Sequence, residues 1–363
     1  MKILHLEYAG KTGGIEKLCK DIGLNAKDDQ HIFWFIHEGG ILYDEMKNEH
    51  LQVECLHLGK WQIFELCQKI CCFVAQSGID AIIIHHPAPL IWLAMEIYLC
   101  KKKRSKVFVY VHNTYHEIIT EKKYRKKIYD NLLKRSDGII AISKWVKQSV
   151  LSNVSIPEKK IKVIYNGVVC PENIGVINGK LHRPVQLIYI GRLIEKKGVQ
   201  VLLDAYSKIA EKDNYQLNII GDGPYKQDLE KRAKMLGLEH NVLFHGMQRN
   251  IDEWLRNADV FIHPAIWEEG FGISIIEAMS YGKICIASRK GAIPEIITDG
   301  DNGFLVESGN SDELVKKIID VCSNITEEQR AQIANNAKDH VQKFSINRLL
   351  QTLHEFILEE KNK

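Results

Sequence analysis

A chain of 363 residues is too long for one ordinary hydrophobic core and divides into about two domains. With 45% hydrophobic and 26% charged residues it has the composition of a globular protein rather than of a membrane bundle. The net charge of +3 hides an asymmetry: residues 1–165 hold 25 Lys and Arg against 18 Asp and Glu, and Lys101 to Lys147 alone hold 14 against 4. Nine scattered cysteines, with no C-x-x-C pairs of zinc-ribbon spacing, read as reduced thiols of a cytoplasmic protein.

The opening "MKILHLEY" is too short an apolar run for a signal peptide and reads as a strand. It leads to Gly13-Gly14 and a helix-like pattern from Ile15. Adjacent glycines permit φ > 0 and leave room beside the backbone. That suits either a plain strand-to-helix turn or a helix mouth on which a charged ligand group rests. "HIFWFIH", "AIIIHH", "VFVYVHN" and "GIIAIS" follow as buried strands, separated by helical stretches such as "GIEKLCKDIGLNA". The longest apolar stretch, 82–100, is interrupted by two histidines, two prolines and Glu96, which argues against a membrane span.

Residues 164–183, "IYNGVVCPENIGVINGKLHR", make the natural linker, with a hinge near Asn166-Gly167. Beyond it the β–α alternation resumes with "VQLIYIGR", "YQLNIIGDG", "NVLFHG", "ADVFIHPA", "KICIASRKG" and "GFLVE", and the chain ends in an amphipathic helix. The reading is α/β: two Rossmann-like, doubly wound domains at 1–165 and 166–344, with a terminal helix at 345–363.

In open parallel sheets ligands collect at the carboxyl ends of the strands. The unusual residues fall there: Gly13 and Gly14, His85 and His86, His112 and Asn113, Gly191 and Arg192, Gly221 to Gly223, His245 and Gly246. In "YIGRLIEKKG", Arg192 offers a planar fork of donors and Lys197 a point charge at a helix mouth, together suited to a diphosphate. A cation at a helix N-terminus opposes the helix dipole and calls for an anion. In "WEEGFGISIIEAMSYG", Glu269 and Glu277 stand eight apart around Gly270 and Gly272, just where a new helix begins. Two carboxylates there can accept hydrogen bonds from sugar hydroxyls, although a glutamate early in a helix is also ordinary capping.

These motifs, G-R-L-x-x-x-K-G, a G-x-G loop, and Glu-Gly-Phe-Gly completing Glu-x7-Glu, resemble glycosyltransferase family 4, retaining enzymes of the GT-B fold whose two domains face each other across a cleft. The resemblance runs over nearly the whole chain. It implies that Arg192 and Lys197 neutralise a leaving diphosphate, that Glu269 touches the donor sugar and that Glu277 binds the nucleotide ribose. It places His112 near the reacting carbon and Gly13 and Gly14 against diphosphate and acceptor. It puts Gly191, Gly221, Gly223, His245, Gly270, Phe271, Gly272 and Ile273 around the donor. Ser274 departs from the family pattern, where proline is common.

The implied partners are a nucleotide-sugar, most simply a UDP-sugar, and a glycan or lipid-linked glycan acceptor of bacterial surface polysaccharide synthesis. No cofactor, obligatory metal or nucleic acid is implied. The basic first half suggests a peripheral docking face for an anionic membrane surface. A nucleotide-sugar epimerase of the same shape, or a non-catalytic sugar-nucleotide-binding protein, stays open. "GDGP" lacks the third glycine of a dinucleotide fingerprint, and "DGD" at 299–301 reads as a turn rather than a metal site. His245 reads equally as a packed histidine, and Trp267 as a residue lining the donor site.

Overall fold

The computed structural model describes residues 1–11, 13–86, 88–101, 105–119 and 123–363. Lys102, Lys103 and Arg104 of the basic run, with Glu121 and Lys122, lie outside the described residues. The chain forms two compact units, Met1–Val169 with Ser345–Lys363, and Cys170–Phe344.

The first unit is built on a parallel sheet of seven strands. These are β1 (Lys2–Ala9), β2 (Gln30–Glu38), β3 (Gln52–Cys55), β4 (Ala81–Ile84), β5 (Lys106–Val111), β6 (Gly138–Ala141) and β7 (Ile161–Val163), in the order β3-β2-β1-β4-β5-β6-β7. The inner strands are continuous apolar runs because helices bury both faces; all four residues of β4 are buried. The strands β3 and β7, absent from the sequence reading, are the two edges. They are three or four residues long and partly exposed, so they carry no apolar run to announce them.

The terminal helix Ile346–Lys361 buries Ile346, Leu349, Leu353, Phe356 and Ile357 along one stripe, as helical periodicity requires. Phe356 meets Phe108 of β5 edge-on at 5.5 Å, and Lys361 pairs with Asp80 at 2.5 Å. Val168 bridges to Ser345, so this unit runs to Val169, four residues past the expected boundary.

The second unit has six parallel strands: β8 (Val185–Ile190), β9 (Tyr215–Ile220), β10 (Val242–Gly246), β11 (Val260–His263), β12 (Ile284–Ser288) and β13 (Phe304–Val306). Their order is β10-β9-β8-β11-β12-β13. Leu187, Tyr189, Leu217, Ile219, Val260, Ile262 and Ile286 are fully buried at its centre. Both sheets therefore reverse strand order once, between β1 and β4 and between β8 and β11, and such a switch point opens a crevice at the carboxyl ends.

Candidate functional site

At the switch point of the second unit, β8 runs into Gly191 and Arg192. The Gly191 N–H donates to Ile220 O at 3.0 Å. Gly221 adopts φ +139°, and a Cβ there would lie 1.9 Å from Gly191 O. A Cβ at Gly223 would lie 2.2 Å from Leu193 O. Gly221 and Gly223, expected at the ligand, thus serve the contact between neighbouring backbones, whereas a Cβ at Gly191 would meet the Tyr189 hydroxyl at 2.8 Å. Arg192 is exposed, and no ion pair holds its guanidinium among the described residues.

Lys197 ends a short 3₁₀ turn, Glu195–Lys197, that leads through Gly198 into the helix Val199–Ser207. Its Nζ forms an ion pair with Glu269, on the loop after β11. The anion that a lysine at a helix mouth calls for is thus supplied by the protein itself. The sequence reading gave these two residues separate duties; the structure joins them across the crevice. Burial opposes ionisation of Glu269, but Lys197 and His263 outweigh it and hold the carboxyl below the ordinary carboxylate range. His263, at the end of β11, is 2% exposed and lies 3.6 Å from Glu269. Neither of its ring nitrogens has a hydrogen-bond partner among the described residues. Sequence reasoning did not single it out, although a lone histidine ending a buried run beside a switch point is a readable signal.

The loop continues through Gly270 and Phe271 to Gly272, whose φ of +105° opens the helix Ile273–Ser280 with no side-chain cap. Its first backbone N–H groups remain available to an anion. Glu277 is the fifth residue of this helix, beyond its first turn, so helix capping does not explain it. Ile273 and Glu277, one turn apart, are both half-buried, whereas Phe271 is 3% exposed and packs edge-on against Phe344. Phe271 is a core residue here. His245 bonds to Asn218 through Nε2 at 2.9 Å and lies 4.2 Å from the Trp254 ring, the packed reading of the two. Trp267 is half-exposed beneath the Lys196 ammonium at 4.1 Å.

Asp299 and Asp301 of "DGD" sit in a turn, tied to Leu305 N–H and the Asn336 amide. A cavity of about 290 Å³ under residues 174–182 borders the other ends of these strands. Its Lys283 and Arg330 are spent on backbone carbonyls.

In the first unit, Gly13 has φ −160° and Gly14 begins the helix Gly14–Asn25. Neither is left-handed, so the freedom that adjacent glycines permit is not used here. Glycine at 13 has a different cause: a Cβ would stand 2.4 Å from Glu16 Oε2. The Glu16 carboxyl accepts from its own N–H at this helix mouth; burial, with Glu7 nearby, pushes it up to about 7. Glu7, fully buried on β1, accepts from Cys19 at 3.0 Å and lies 3.5 Å from His86 Nδ1. His112, just past β5, is 7% exposed and bonds to His85 through Nε2 at 3.0 Å; burial pushes it down to about 3, so it is neutral. The structure therefore gathers Gly13 and Gly14, Glu16, His85 and His86 at the first switch point, with His112 one strand beyond. It gathers Arg192, Lys197, Glu269, Gly272 and Glu277 around the second.

Two parallel-sheet units with polar residues at each strand-order switch are the architecture of GT-B glycosyltransferases. The chain belongs to glycosyltransferase family 4: residues 13–170 match the Glycosyltransferase Family 4 model and residues 172–340 the Glycosyl transferases group 1 model. It is similar to an uncharacterized glycosyltransferase of Methanocaldococcus jannaschii, at 35% identity over 56% of this chain and 55% of that protein. The chain thus spans little more than half the length of the first curated relatives it matches. It is 27% identical to N-acetyl-alpha-D-glucosaminyl L-malate synthase of Bacillus anthracis over 76% of this chain and 73% of that one. With a putative colanic acid biosynthesis glycosyltransferase of Salmonella typhimurium it shares 26% over 79% and 73%. Among solved structures, Anabaena HepE in complex with UDP superposes with a TM-score of 0.83 at 25% identity, covering 99% of this chain and all of that one. No helix among the described residues is long and apolar enough to cross a membrane.

Proposed function

We propose that this protein is a retaining, metal-independent glycosyltransferase that moves a sugar from a UDP-sugar to a glycan or lipid-linked glycan acceptor in bacterial surface polysaccharide synthesis. The observation that carries the reading is the Lys197–Glu269 pair at the β8/β11 switch point, beside the exposed Arg192 and the uncapped helix after Gly272. Departure of a nucleoside diphosphate from an anomeric carbon builds negative charge on the phosphates. Fixed cations and aligned N–H groups lower the barrier by meeting that charge as it forms. In this assignment Arg192 and Lys197 hold the diphosphate, Glu269 is positioned by Lys197 to accept from the sugar, and Glu277 accepts from the ribose. His112 and the Gly13-Gly14 helix mouth serve the acceptor side.

The UDP complex of HepE supports the nucleotide, and the colanic acid name of the Salmonella relative supports the pathway class. Incubating the purified protein with UDP-sugars and a pool of lipid-linked glycans tests it directly. UDP release matched by a glycosylated acceptor of retained anomeric configuration is expected. Epimerised donor, or UDP-sugar bound without turnover, overturns it. The basic balance of Lys101 to Lys147 supports peripheral docking at the cytoplasmic membrane face. Sedimentation with anionic liposomes at low salt is the test, and no binding there removes that part.

A further inference from the structure

Four buried histidines of the first unit are joined ring to ring. His31 Nδ1 meets His5 Nε2 at 2.7 Å, His5 Nδ1 meets His85 Nε2 at 2.8 Å, and His85 Nδ1 meets His112 Nε2 at 3.0 Å. None is more than 8% exposed. The strand register explains the alignment. His5 pairs with Phe33 and with Ile83, and Ile83 with Phe108. His31, His85 and His112 lie an even number of residues from those partners, so all four rings share one face. Each step to the next strand climbs two residues, and the row runs diagonally from the amino end of β2 to the carboxyl end of β5. Phe33 stacks on His5 at 4.6 Å and Tyr110 on His112 at 4.4 Å, closing the row in aromatic surface.

Burial lowers the proton affinity of all four rings, so each is neutral and carries one N–H. Every bond in the row joins an Nδ1 to an Nε2. A ring that donates from Nδ1 must accept at Nε2, which forces its neighbour to donate from Nδ1 as well. Only two arrangements satisfy all three bonds: four Nδ1–H rings or four Nε2–H rings. The two ring nitrogens not used within the row are His112 Nδ1, at the carboxyl edge, and His31 Nε2, at the amino edge near the Asp29 cluster with the Met1 amine and His354.

We propose that His31, His5 and His85 form an imidazole wire that sets the tautomer of His112. The wire decides whether the Nδ1 of His112 meets its ligand as a donor or as a base. In the Nε2–H arrangement His112 Nδ1 takes a proton, its Nε2 proton passes to His85, the next to His5, the next to His31, and His31 releases its Nε2 proton to solvent. All four rings are neutral before and after, and the reverse passage restores the start. His31, His5 and His85 are positioning residues in this scheme. It rests on the assignment of His112 to the reacting edge.

Histidine ring ¹⁵N spectra of the full-length protein, assigned by single substitutions, test it without any substrate. The same protonated nitrogen is expected in all four rings. His5→Phe cuts the wire: His112 then samples both tautomers, and kcat falls about ten- to hundredfold while the donor KM stays within about twofold, as when the partner of a working histidine is removed. His31→Gln, at the far end, replaces it should His5→Phe not fold. Opposite tautomers along the wild-type row overturn the wire. So does a stoichiometric zinc ion on His5, Cys19 and His85, since it would consume nitrogens now bonded to other rings. An unchanged His112 signal in the cut variant does the same. A wild-type protein that transfers no sugar yet shows four matched rings would instead remove the proposed activity and keep the wire.

Discussion

Lys197 and Glu269 come from loops after two adjacent strands, β8 and β11, and meet as an ion pair at the point where strand order reverses. Both are largely buried, so the carboxylate depends on the ammonium to stay ionised. Lys197→Ala should lower turnover on the order of 10²–10³-fold, the usual cost of a lost charge-stabilising donor. It should also destabilise the fold by about 3–5 kcal/mol, because the carboxylate is stranded. Lys197→Ala with Glu269→Gln should recover most of the stability and none of the rate. Denaturant titration beside initial-rate assays separates these effects. Near-normal turnover in Lys197→Ala would sink the assignment.

Arg192 gives the opposite profile. Its side chain is exposed and unpaired among the described residues, so Arg192→Ala should leave the melting temperature within about 1 °C of wild type. UDP binding by calorimetry should weaken about tenfold or more, as for loss of a charge-assisted hydrogen bond to phosphate. Because two protein cations meet the diphosphate in this scheme, EDTA should leave the transfer rate unchanged. A rate abolished by EDTA and restored by a divalent ion would contradict it.

The inner strands were legible because a parallel strand buried on both faces is a plain apolar run. The edges β3 and β7 were not, since "QVEC" and "IKV" are short and partly exposed. The charged candidates were also readable, because Arg192 and Lys197 are cations near a helix mouth, against the helix dipole, and Glu269 and Glu277 stand in one motif around Gly270 and Gly272. Their partnerships were not, since pairing Lys197 with Glu269, 72 positions away, depends on which strands become neighbours. The histidine row shows the same limit. His5 and His31 look like polar interruptions of apolar strands until the register of β1 and β2 places them on one face. Glycines were the least legible, since the neighbours that exclude a Cβ at Gly13, Gly221 and Gly223 come together only in the fold.

Phe356 measures how far the first unit depends on its last helix. The ring packs on Phe108, and a Cβ at Gly138 would touch both rings at 2.8 Å, so the contact has no slack. Phe356→Ala should cost about 3–5 kcal/mol, the range for a buried aromatic. Gly138→Ala should cost about 1–3 kcal/mol by overpacking. Both are read from urea unfolding midpoints. A midpoint unmoved in Phe356→Ala would mean that the helix docks without contributing to stability.

Glu16 makes stability depend on pH in an unusual direction. Its carboxyl titrates at about 7 in the folded protein, raised chiefly by burial, against roughly 4.3 in an unfolded chain. Between those values the folded state holds a proton that the unfolded state has given up. This contribution to stability is therefore complete below about pH 4, falls as pH rises and is lost above about 7. Glu16→Gln, which stays neutral throughout, should melt at least ~3 °C above wild type at pH 8, with the gap closing toward pH 5. Comparing the two proteins across that range cancels the titration of other groups to first order. A gap that is constant with pH, or that widens on acidification, would show that Glu16 is ionised at its helix mouth.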